Sequence, residues 1–261
     1  MLKYFKAIMR VGYKIIFAYF LFMRKYAKHP ERYPLQERWD RYAKLARAVL
    51  ASFNAEIHVE GLSHIQTEQP QFIIGNHLSF MDPIILLAVS RKPIIFVSKK
   101  EARKFPFVGK AIIGINGLFL DREALKQEVK IMMEVRNQLT KEQCSVAMFP
   151  EGTRNTSFNQ PMATFKAGTF KYAIQTKTPI IPFALVGQQF ILAKQVKWKK
   201  YPVYLKFSAP ELPEFAQKDT IKAGEFYQQQ VQYLLDKIRP QYDDYMKIIV
   251  PKSSARKFLE L

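Results

Sequence analysis

This sequence of 261 residues contains one cysteine and only four histidines. The single cysteine, Cys144, excludes an internal disulfide and any cysteine-rich zinc site. The histidines show no metal-binding spacing such as H-E-x-x-H, so we predict no metal and no other cofactor. No G-x-S-x-G motif occurs, and Cys144 has no base near it in sequence. Both absences argue against an acyl-enzyme intermediate on a serine or a cysteine.

Acidic residues are also scarce, since 22 Asp and Glu stand against 41 Lys and Arg, a net charge of +19. Such a charge attracts anionic surfaces, which include lipid head groups, nucleic acids and acidic carrier proteins. A non-enzymatic basic protein that binds membranes or nucleic acid is therefore one alternative. No helix-turn-helix, zinc-finger or RNA-recognition motif occurs, so we expect no nucleic-acid partner.

The first 30 residues carry seven basic side chains and no acidic one. Four of the basic residues, from Lys3 to Lys14, recur at steps of three and four and so share one stripe of a helix. The uncharged run at residues 15–23 is nine residues long, whereas a membrane-spanning helix needs about 20 apolar residues. We therefore predict an amphipathic helix that lies in a membrane interface.

A second helix is predicted after the proline-bounded turn at residues 29–34. Its apolar face contains Trp39, Tyr42, Ala46, Val49, Leu50 and Phe53. Basic side chains flank that face at Arg38, Arg41, Lys44 and Arg47. Either both helices contact a membrane, or both pack on the rest of the protein and their charges are solvated. The lack of acidic residues in the first helix favours membrane contact.

From residue 55 onward, strand patterns alternate with helix patterns. Strands are predicted at residues 57–59, 72–74, 94–97, 117–120, 146–149 and 180–186, and helices at 84–89, 123–139 and 165–176. The tail adds a hairpin around residues 199–200 and helical stretches after residues 218 and 241. We predict an α/β fold with a mixed sheet flanked by helices. The domains would be a two-helix membrane-associating segment, residues 1–54, and a body, residues 55–261.

The first candidate motif, NHLSFMD, runs from Asn76 to Asp82. On a regular helix His77 and Asp82 would point about 140° apart. A turn between them, which Ser79 and the Asp82-Pro83 helix start favour, brings the imidazole and the carboxylate together. The carboxylate then orients the imidazole while its other nitrogen removes a proton. The alternative is that Asp82 only caps a helix and His77 is an ordinary loop residue.

Two later motifs, GLFLDR at residues 117–122 and FPEGTR at residues 149–154, each end in an arginine. The guanidinium group of arginine holds a phosphate through two parallel hydrogen bonds. Arg122 and Arg154 are therefore candidate phosphate ligands, and the three motifs together suggest a site that activates a hydroxyl on a phosphate-bearing substrate.

Other polar residues of the third motif extend this cationic site. Gly152 lets backbone approach a ligand closely, and Lys166 lies twelve residues beyond Arg154. Glu151 either balances these charges or positions a substrate hydroxyl. The alternative is a polar loop with structural ion pairs.

The order and spacing of the three motifs, with the strand PIIP at residues 179–182 beyond them, resemble the glycerolipid acyltransferase family. The branch most similar is that of lysophosphatidate (1-acyl-sn-glycerol-3-phosphate) acyltransferases, and the resemblance covers residues 55 to about 190. It implies that His77 is the general base and Asp82 its partner. It also implies substrate-binding roles for Lys99, Arg122, Glu151, Gly152, Thr153, Arg154 and Lys166. Lys100 beside Lys99 leaves that choice open.

The resemblance implies transfer of a fatty acyl group from a thioester to the 2-hydroxyl of lysophosphatidate, forming phosphatidate. The implied donor is acyl-coenzyme A or acyl-acyl carrier protein, and the implied location is the cytoplasmic face of the cell membrane, peripheral or monotopic on an anionic surface. The same chemistry on glycerol 3-phosphate or another lysophospholipid stays open, because the motifs describe only a phosphate and a hydroxyl.

Overall fold

The computed structural model describes residues 2–121, 125–140, 144–155, 161–193, 198–212 and 219–249. At the N-terminus, α1 (Leu2–Ala18) continues through a π-helical turn (Tyr19–Met23) into α2 (Arg24–Lys28), and α3 (Leu35–Ser52) follows a 3-10 turn (Pro30–Arg32). Both N-terminal helices predicted from the sequence are therefore present. The π-helical turn was not predicted.

The body alternates strands and helices as expected. The strands are β1 (Ala55–Glu60), β2 (Phe72–Gly75), β3 (Ile94–Lys99), β4 (Leu118–Leu120), β5 (Ser145–Met148), β6 (Ile180–Val186) and β7 (Tyr201–Phe207). The helices are α4 (Met81–Val89), α5 (Pro106–Gly114), α6 (Leu125–Thr140), α7 (Lys171–Thr176) and α8 (Thr220–Ile249). Short 3-10 helices occupy Leu62–Ile65, Lys100–Lys104, Ala167–Phe170 and Gln188–Phe190.

The strands form one seven-stranded sheet in the order β1-β7-β6-β2-β5-β3-β4. The β6–β7 pair is antiparallel and the other neighbours are parallel, so the predicted mixed sheet is confirmed. Because β2, β5, β3 and β4 are parallel neighbours, their carboxyl ends meet at one edge of the sheet. The NHLSFMD and FPEGTR motifs begin just beyond the carboxyl ends of β2 and β5, and GLFLDR contains β4 and continues to Asp121 beyond its carboxyl end. This arrangement explains how segments far apart in sequence come together.

Several helices differ from the prediction: α5 was not predicted, and α7 begins at Lys171, after a 3-10 helix, instead of at residue 165. Helix α4 begins at Met81 with Phe80 as the preceding cap residue, so Asp82 lies in the first turn instead of capping the helix. Helix α8 is continuous through Pro240, where the sequence suggested a break between two helices. Buried Tyr242 and Met246 anchor the part of α8 after the proline, and their packing offsets the lost backbone hydrogen bond.

Helix α3 packs against the body. The six residues of its predicted apolar face are all buried, and Trp39 donates a hydrogen bond from Nε1 to the carbonyl of Ser90 (3.1 Å). The hydrophobic core is continuous from α3 into the sheet, across the domain boundary predicted at residue 55. The apolar face of α3 is thus covered by protein. This agrees with the alternative that the helix packs on the rest of the protein.

Several cations of the N-terminal helices also bind within the protein. Lys14 donates from Nζ to the carbonyl of Ala48 (2.9 Å) and to Ser52 Oγ (2.7 Å). Arg38 is buried and donates to the carbonyl of Gly114 (2.6 Å) and to Asn116 Oδ1 (2.9 Å). The expectation that these charges are solvated or face lipid is therefore wrong for Lys14 and Arg38, because backbone carbonyls and polar side chains of neighbouring segments accept hydrogen bonds from both.

Helix α1 and its π-helical turn expose large apolar side chains. These side chains are Met9, Tyr13, Ile16, Phe17, Phe20 and Leu21. Phe105, Phe107 and Val108, around the start of α5, are exposed as well, and the Phe107 ring meets the Tyr19 ring edge to face (5.3 Å). We call these nine residues the exposed apolar surface. Among the helices described, none is long and apolar enough to cross a membrane.

Candidate active site

The loop after β2 is fixed before it reaches His77. A Cβ atom on Gly75 would lie 2.5 Å from the Phe183 ring, so the close approach of β2 and β6 requires glycine here. The Asn76 side chain then donates to the carbonyl of Leu185 (2.9 Å) and accepts from its N–H (2.8 Å). This pair of hydrogen bonds ties the start of the NHLSFMD motif to β6.

His77 and Asp82 are in direct contact. The Nδ1 atom of His77 lies 2.7 Å from Asp82 Oδ2, and the N–H groups of Leu78 (2.8 Å) and Ser79 (2.9 Å) donate to the same oxygen. The nonhelical turn before α4 thus overcomes the angular separation that a regular helix would impose. Asp82 organises the loop and holds the imidazole at the same time.

Burial raises the pKa of the Asp82 carboxyl, and hydrogen bonds from His77, Ser79 and Leu78 act in the opposite direction. When Asp82 is ionised, Nδ1 of His77 carries the proton and Nε2 keeps a free lone pair. No side chain or backbone group in the described part of the chain hydrogen-bonds to Nε2. The arrangement can therefore accept a proton at Nε2 and stabilise the resulting imidazolium through Asp82.

The FPEGTR motif and the residue after it contact His77. The Phe149 ring stacks on the imidazole of His77, with 4.1 Å between centroids. Asn155 donates its backbone N–H to the carbonyl of His77 (2.8 Å). Both stacking and hydrogen bonding therefore restrict the position of the imidazole. Neither Phe149 as a stacking partner nor Asn76 as an anchor was singled out in the sequence, although both lie inside recognised motifs.

Glu151 is buried and binds two backbone groups. Its Oε1 accepts the N–H of His77 (2.7 Å) and its Oε2 accepts the N–H of Ala163 (3.0 Å). Burial raises the pKa of its carboxyl, against the two backbone hydrogen bonds, which lower it. Both carboxylate oxygens are thus engaged with the backbone of the site, whereas the sequence suggested a charge balancer or a positioner of a substrate hydroxyl.

Thr153 and Lys166 are more accessible than Glu151, whereas Gly152 is buried. Gly152 has φ of 72°, a left-handed conformation that favours glycine. Thr153 and Lys166 are exposed. The guanidinium carbon of Arg154 lies 3.5 Å from the centroid of the Phe80 ring, so the arginine ending the third motif touches the first motif. The structure therefore brings Arg154 to the His77 loop.

Lys99 and Lys100 differ in their contacts. Lys99 is exposed, ends β3 and pairs in the sheet with Leu120 of β4. Lys100 donates from Nζ to Asp121 Oδ2 (2.9 Å), within the GLFLDR motif. Lys100 is therefore tied to the second motif itself. Arg122, the other predicted phosphate ligand of this motif, lies outside the described residues.

The sequence of this chain matches a known protein family. A sequence model described as Acyltransferase matches residues 56–186. The mouse protein named 1-acyl-sn-glycerol-3-phosphate acyltransferase alpha is 30% identical over 143 residues, which are 55% of this chain and 50% of the mouse protein. The Borreliella burgdorferi protein named 1-acyl-sn-glycerol-3-phosphate acyltransferase is 29% identical over 148 residues, 54% of this chain and 55% of that protein. The chain thus spans about half the length of these curated relatives.

A solved structure shows the same fold. The crystal structure titled 1-acyl-sn-glycerophosphate (LPA) acyltransferase, PlsC, from Thermotoga maritima aligns with a TM-score of 0.69 at 20% identity, over 91% of this chain and 98% of that one. The matched region, residues 56–186, contains the His77–Asp82 contact, the FPEGTR motif and the strands β2 to β6 beside them. This chain belongs to the acyltransferase family.

Proposed function

We propose that this protein is a 1-acyl-sn-glycerol-3-phosphate acyltransferase, which moves a fatty acyl group from a thioester donor to the 2-hydroxyl of lysophosphatidate and forms phosphatidate. The observation that carries the proposal is the 2.7 Å contact between His77 Nδ1 and Asp82 Oδ2, inside the region that matches the family. The names of the mouse and Borreliella burgdorferi relatives support the choice of acceptor.

In the proposed reaction His77 is a general base. Its Nε2 removes the proton of the 2-hydroxyl as that oxygen attacks the carbonyl carbon of the thioester. Asp82 keeps the Nδ1 proton in place and stabilises the imidazolium. When the tetrahedral intermediate collapses, the C–S bond breaks, the new C–O ester bond remains, and the proton passes to the leaving thiolate. The acceptor hydroxyl is the nucleophile, so the protein needs no acyl-enzyme.

The oxyanion of the tetrahedral intermediate needs hydrogen-bond donors. The N–H of His77 donates to Glu151, and the N–H groups of Leu78 and Ser79 donate to Asp82. These three amides are already used within the protein. We therefore place the oxyanion donors elsewhere than at the backbone of residues 77–79.

We assign the acceptor phosphate to the cations of the second and third motifs and to Lys99. Lys99, Arg122, Arg154 and Lys166 are the candidate ligands, and the role of Arg122 rests on the sequence alone. The contact of Arg154 with Phe80 supports this assignment, because it keeps a guanidinium near the His77 loop. Thr153 is exposed beside Gly152, whose positive φ turns the backbone of the third motif, and this exposed position gives a ligand room to approach.

Glu151 is assigned a different role from the one that the family resemblance implies. Its two carboxylate oxygens accept backbone N–H groups of His77 and Ala163, and the side chain is buried. A carboxylate held in this way is better suited to orient the His77 loop than to bind a substrate hydroxyl.

We infer that α1 seats the protein on the membrane that carries its acceptor, at the cytoplasmic face of the cell membrane. The exposed apolar surface on α1 and α5 supports a peripheral or monotopic attachment, and the net charge of +19 supports an anionic lipid surface. The same charge suits either donor, since coenzyme A carries phosphates and acyl carrier protein is acidic.

The test of the reaction compares wild type, His77→Ala and His58→Ala in detergent, with lysophosphatidate and radiolabelled palmitoyl-coenzyme A. We expect labelled phosphatidate from wild type and His58→Ala, and none from folded His77→Ala. No product from wild type would call for acyl-acyl carrier protein as donor, and then for glycerol 3-phosphate or other lysophospholipids as acceptor. Undiminished product from His77→Ala would refute the mechanism.

The test of membrane attachment uses vesicles of phosphatidylcholine and phosphatidylglycerol. We expect Phe17→Ser combined with Phe20→Ser to weaken vesicle binding by roughly tenfold to a hundredfold, because two exposed rings no longer enter the acyl boundary. Tyr233→Ser is the matched control, since Tyr233 is an exposed aromatic residue on α8. Equal binding of both variants would refute the assignment of α1.

A further inference from the structure

Phe80 is an exposed aromatic residue inside the catalytic motif that the proposed reaction does not use. It directly precedes α4, three residues after His77, and its side chain is 60% exposed. An exposed ring at this point contributes little to the core. The Phe80 ring contacts Arg154, whose guanidinium carbon lies 3.5 Å from the ring centroid.

A distance of 3.5 Å corresponds to van der Waals contact between a planar guanidinium and the face of the ring, so the two groups are stacked. Stacking restrains a guanidinium through its face and leaves the N–H donors at its edge available. An ion pair with a carboxylate would instead occupy those donors. No carboxylate in the described ranges lies within ion-pair distance of Arg154.

The loop that carries Arg154 is also fixed relative to the base. The residue after it, Asn155, donates its backbone N–H to the carbonyl of His77 (2.8 Å), and Phe149 at the start of the motif stacks on the imidazole. The main chain therefore sets the distance from Arg154 to His77. The Phe80 ring then restrains the long arginine side chain, which would otherwise sample many rotamers.

We propose that Phe80 is a positioning residue for the acceptor: its ring holds the guanidinium of Arg154 by stacking, with the N–H fork free to bind the phosphate of the acceptor. This inference rests on the proposed function, because it takes the phosphate as the ligand of Arg154. Phe80 acts through Arg154 and does not itself touch the reacting atoms. Its loss therefore weakens acceptor binding without changing the chemical step.

The test measures KM for lysophosphatidate and kcat for Phe80→Leu, which removes the ring and keeps an apolar side chain. We expect KM to rise by roughly threefold to fivefold with kcat unchanged, the effect of losing one exposed cation–π contact. Phe80→Trp keeps an aromatic face and restores the wild-type KM. In an Arg154→Ala background, Phe80→Leu causes no further rise, since the stacked partner is absent.

Phe105→Leu is the matched control. Phe105 is 58% exposed, nearly the same fraction as Phe80, and belongs to the exposed apolar surface, with no arginine stacked on it among the contacts of the described residues. If the rise in KM came only from a loss of exposed aromatic area, Phe105→Leu would show it as well. A rise in KM that Phe105→Leu reproduces, or that persists in the Arg154→Ala background, would overturn the inference.

A second measurement separates this inference from the proposed function. In arginine-labelled protein, the Nε–H signal of Arg154 is displaced by the ring current of Phe80 and moves in Phe80→Leu. Inorganic phosphate is then titrated against that signal, and we expect weaker binding to Phe80→Leu than to wild type. If wild type is inactive, but Phe80→Leu shifts the Arg154 signal and weakens phosphate binding, the proposed function is refuted and the inference stands. Equal phosphate affinity of wild type and Phe80→Leu, or an Arg154 signal at the same position in both, would refute the inference alone.

Discussion

Among the described residues a histidine contacts a carboxylate at three places, His77–Asp82, His58–Glu56 and the exposed His29–Glu31, and only the first has the environment of a catalytic pair. His77 Nδ1 lies 2.7 Å from Asp82 Oδ2, with side chains 20% and 0% exposed. His58 Nε2 lies 3.4 Å from Glu56 Oε1, with side chains 36% and 31% exposed. The first contact sits where parallel strands end, and the second sits on β1 at the edge of the sheet. Proximity of the two residue types is therefore common to both, whereas burial is not.

The carboxylates also differ in their other partners. Glu56 accepts from Lys200 Nζ (2.8 Å) and from the Tyr245 hydroxyl (2.9 Å), and the hydrogen bond from Lys200 is the main cause that lowers its pKa. In the described structure Asp82 has no cationic partner besides His77. A lysine that already neutralises the carboxylate leaves it little to gain from a protonated imidazole. Asp82 is buried without such a lysine, so a protonated His77 would be its counter-ion.

Replacing each carboxylate by its amide gives the largest expected difference. We expect Asp82→Asn to lower kcat by about three to four orders of magnitude, because the amide no longer fixes the His77 tautomer or stabilises the imidazolium. Glu56→Gln should change kcat by less than about twofold, as a surface substitution away from the site. Initial rates of phosphatidate formation, with circular dichroism as a check on folding, measure both. Similar losses in the two variants would remove the distinction between the pairs.

Glu151 gives the next largest effect. We expect Glu151→Gln to lower kcat by roughly tenfold to a hundredfold with little change in KM for lysophosphatidate, since a displaced His77 loop misplaces the base. Glu60→Gln, which loses an ion pair with Lys206 at the end of β1, is the control. Separate measurement of kcat and KM decides between two roles for Glu151. A raised KM with wild-type kcat would restore its assignment to the acceptor hydroxyls.

The sequence predicted the sheet and the His77–Asp82 contact because both depend on local signals. Each buried strand is a short apolar run bounded by turn residues, and Ser79 and Pro83 mark a turn that ends in a helix. Glu151 could not be assigned in the same way. Its partner is the backbone N–H of His77, 74 residues away, and backbone groups leave no trace in a sequence pattern.

The two N-terminal helices show the same limit. Both α1 and α3 are basic and amphipathic, yet the apolar face of α3 is covered by the body, while α1 and its π-helical turn leave Met9, Ile16, Phe17 and Phe20 exposed. Amphipathicity predicts that a face is apolar, and only the tertiary structure shows what covers it. The burial of Arg38 followed the same rule, because its acceptors, Gly114 and Asn116, lie far along the chain. The sequence could indicate a cation on α3 but not the carbonyl that binds it.

The smallest expected effect is on acid stability, and it has opposite signs for the two carboxylates. The pKa of Glu56 is lowered in the folded protein, so Glu56 stabilises the fold above its unfolded pKa of about 4.3, and this contribution is lost as the pH falls through the folded pKa. We expect wild type to exceed Glu56→Gln in free energy of unfolding by at most about 1 kcal/mol at pH 7, with the difference shrinking toward pH 3.

Burial raises the folded pKa of Asp82, so the native state binds the proton more tightly than the unfolded state does. The difference in free energy of unfolding between wild type and Asp82→Asn therefore shifts in favour of wild type as the pH falls. Urea unfolding followed by tryptophan fluorescence at several pH values measures both slopes. Slopes of the same sign would mean that the two carboxylates do not differ in burial and charge partners as the structure shows.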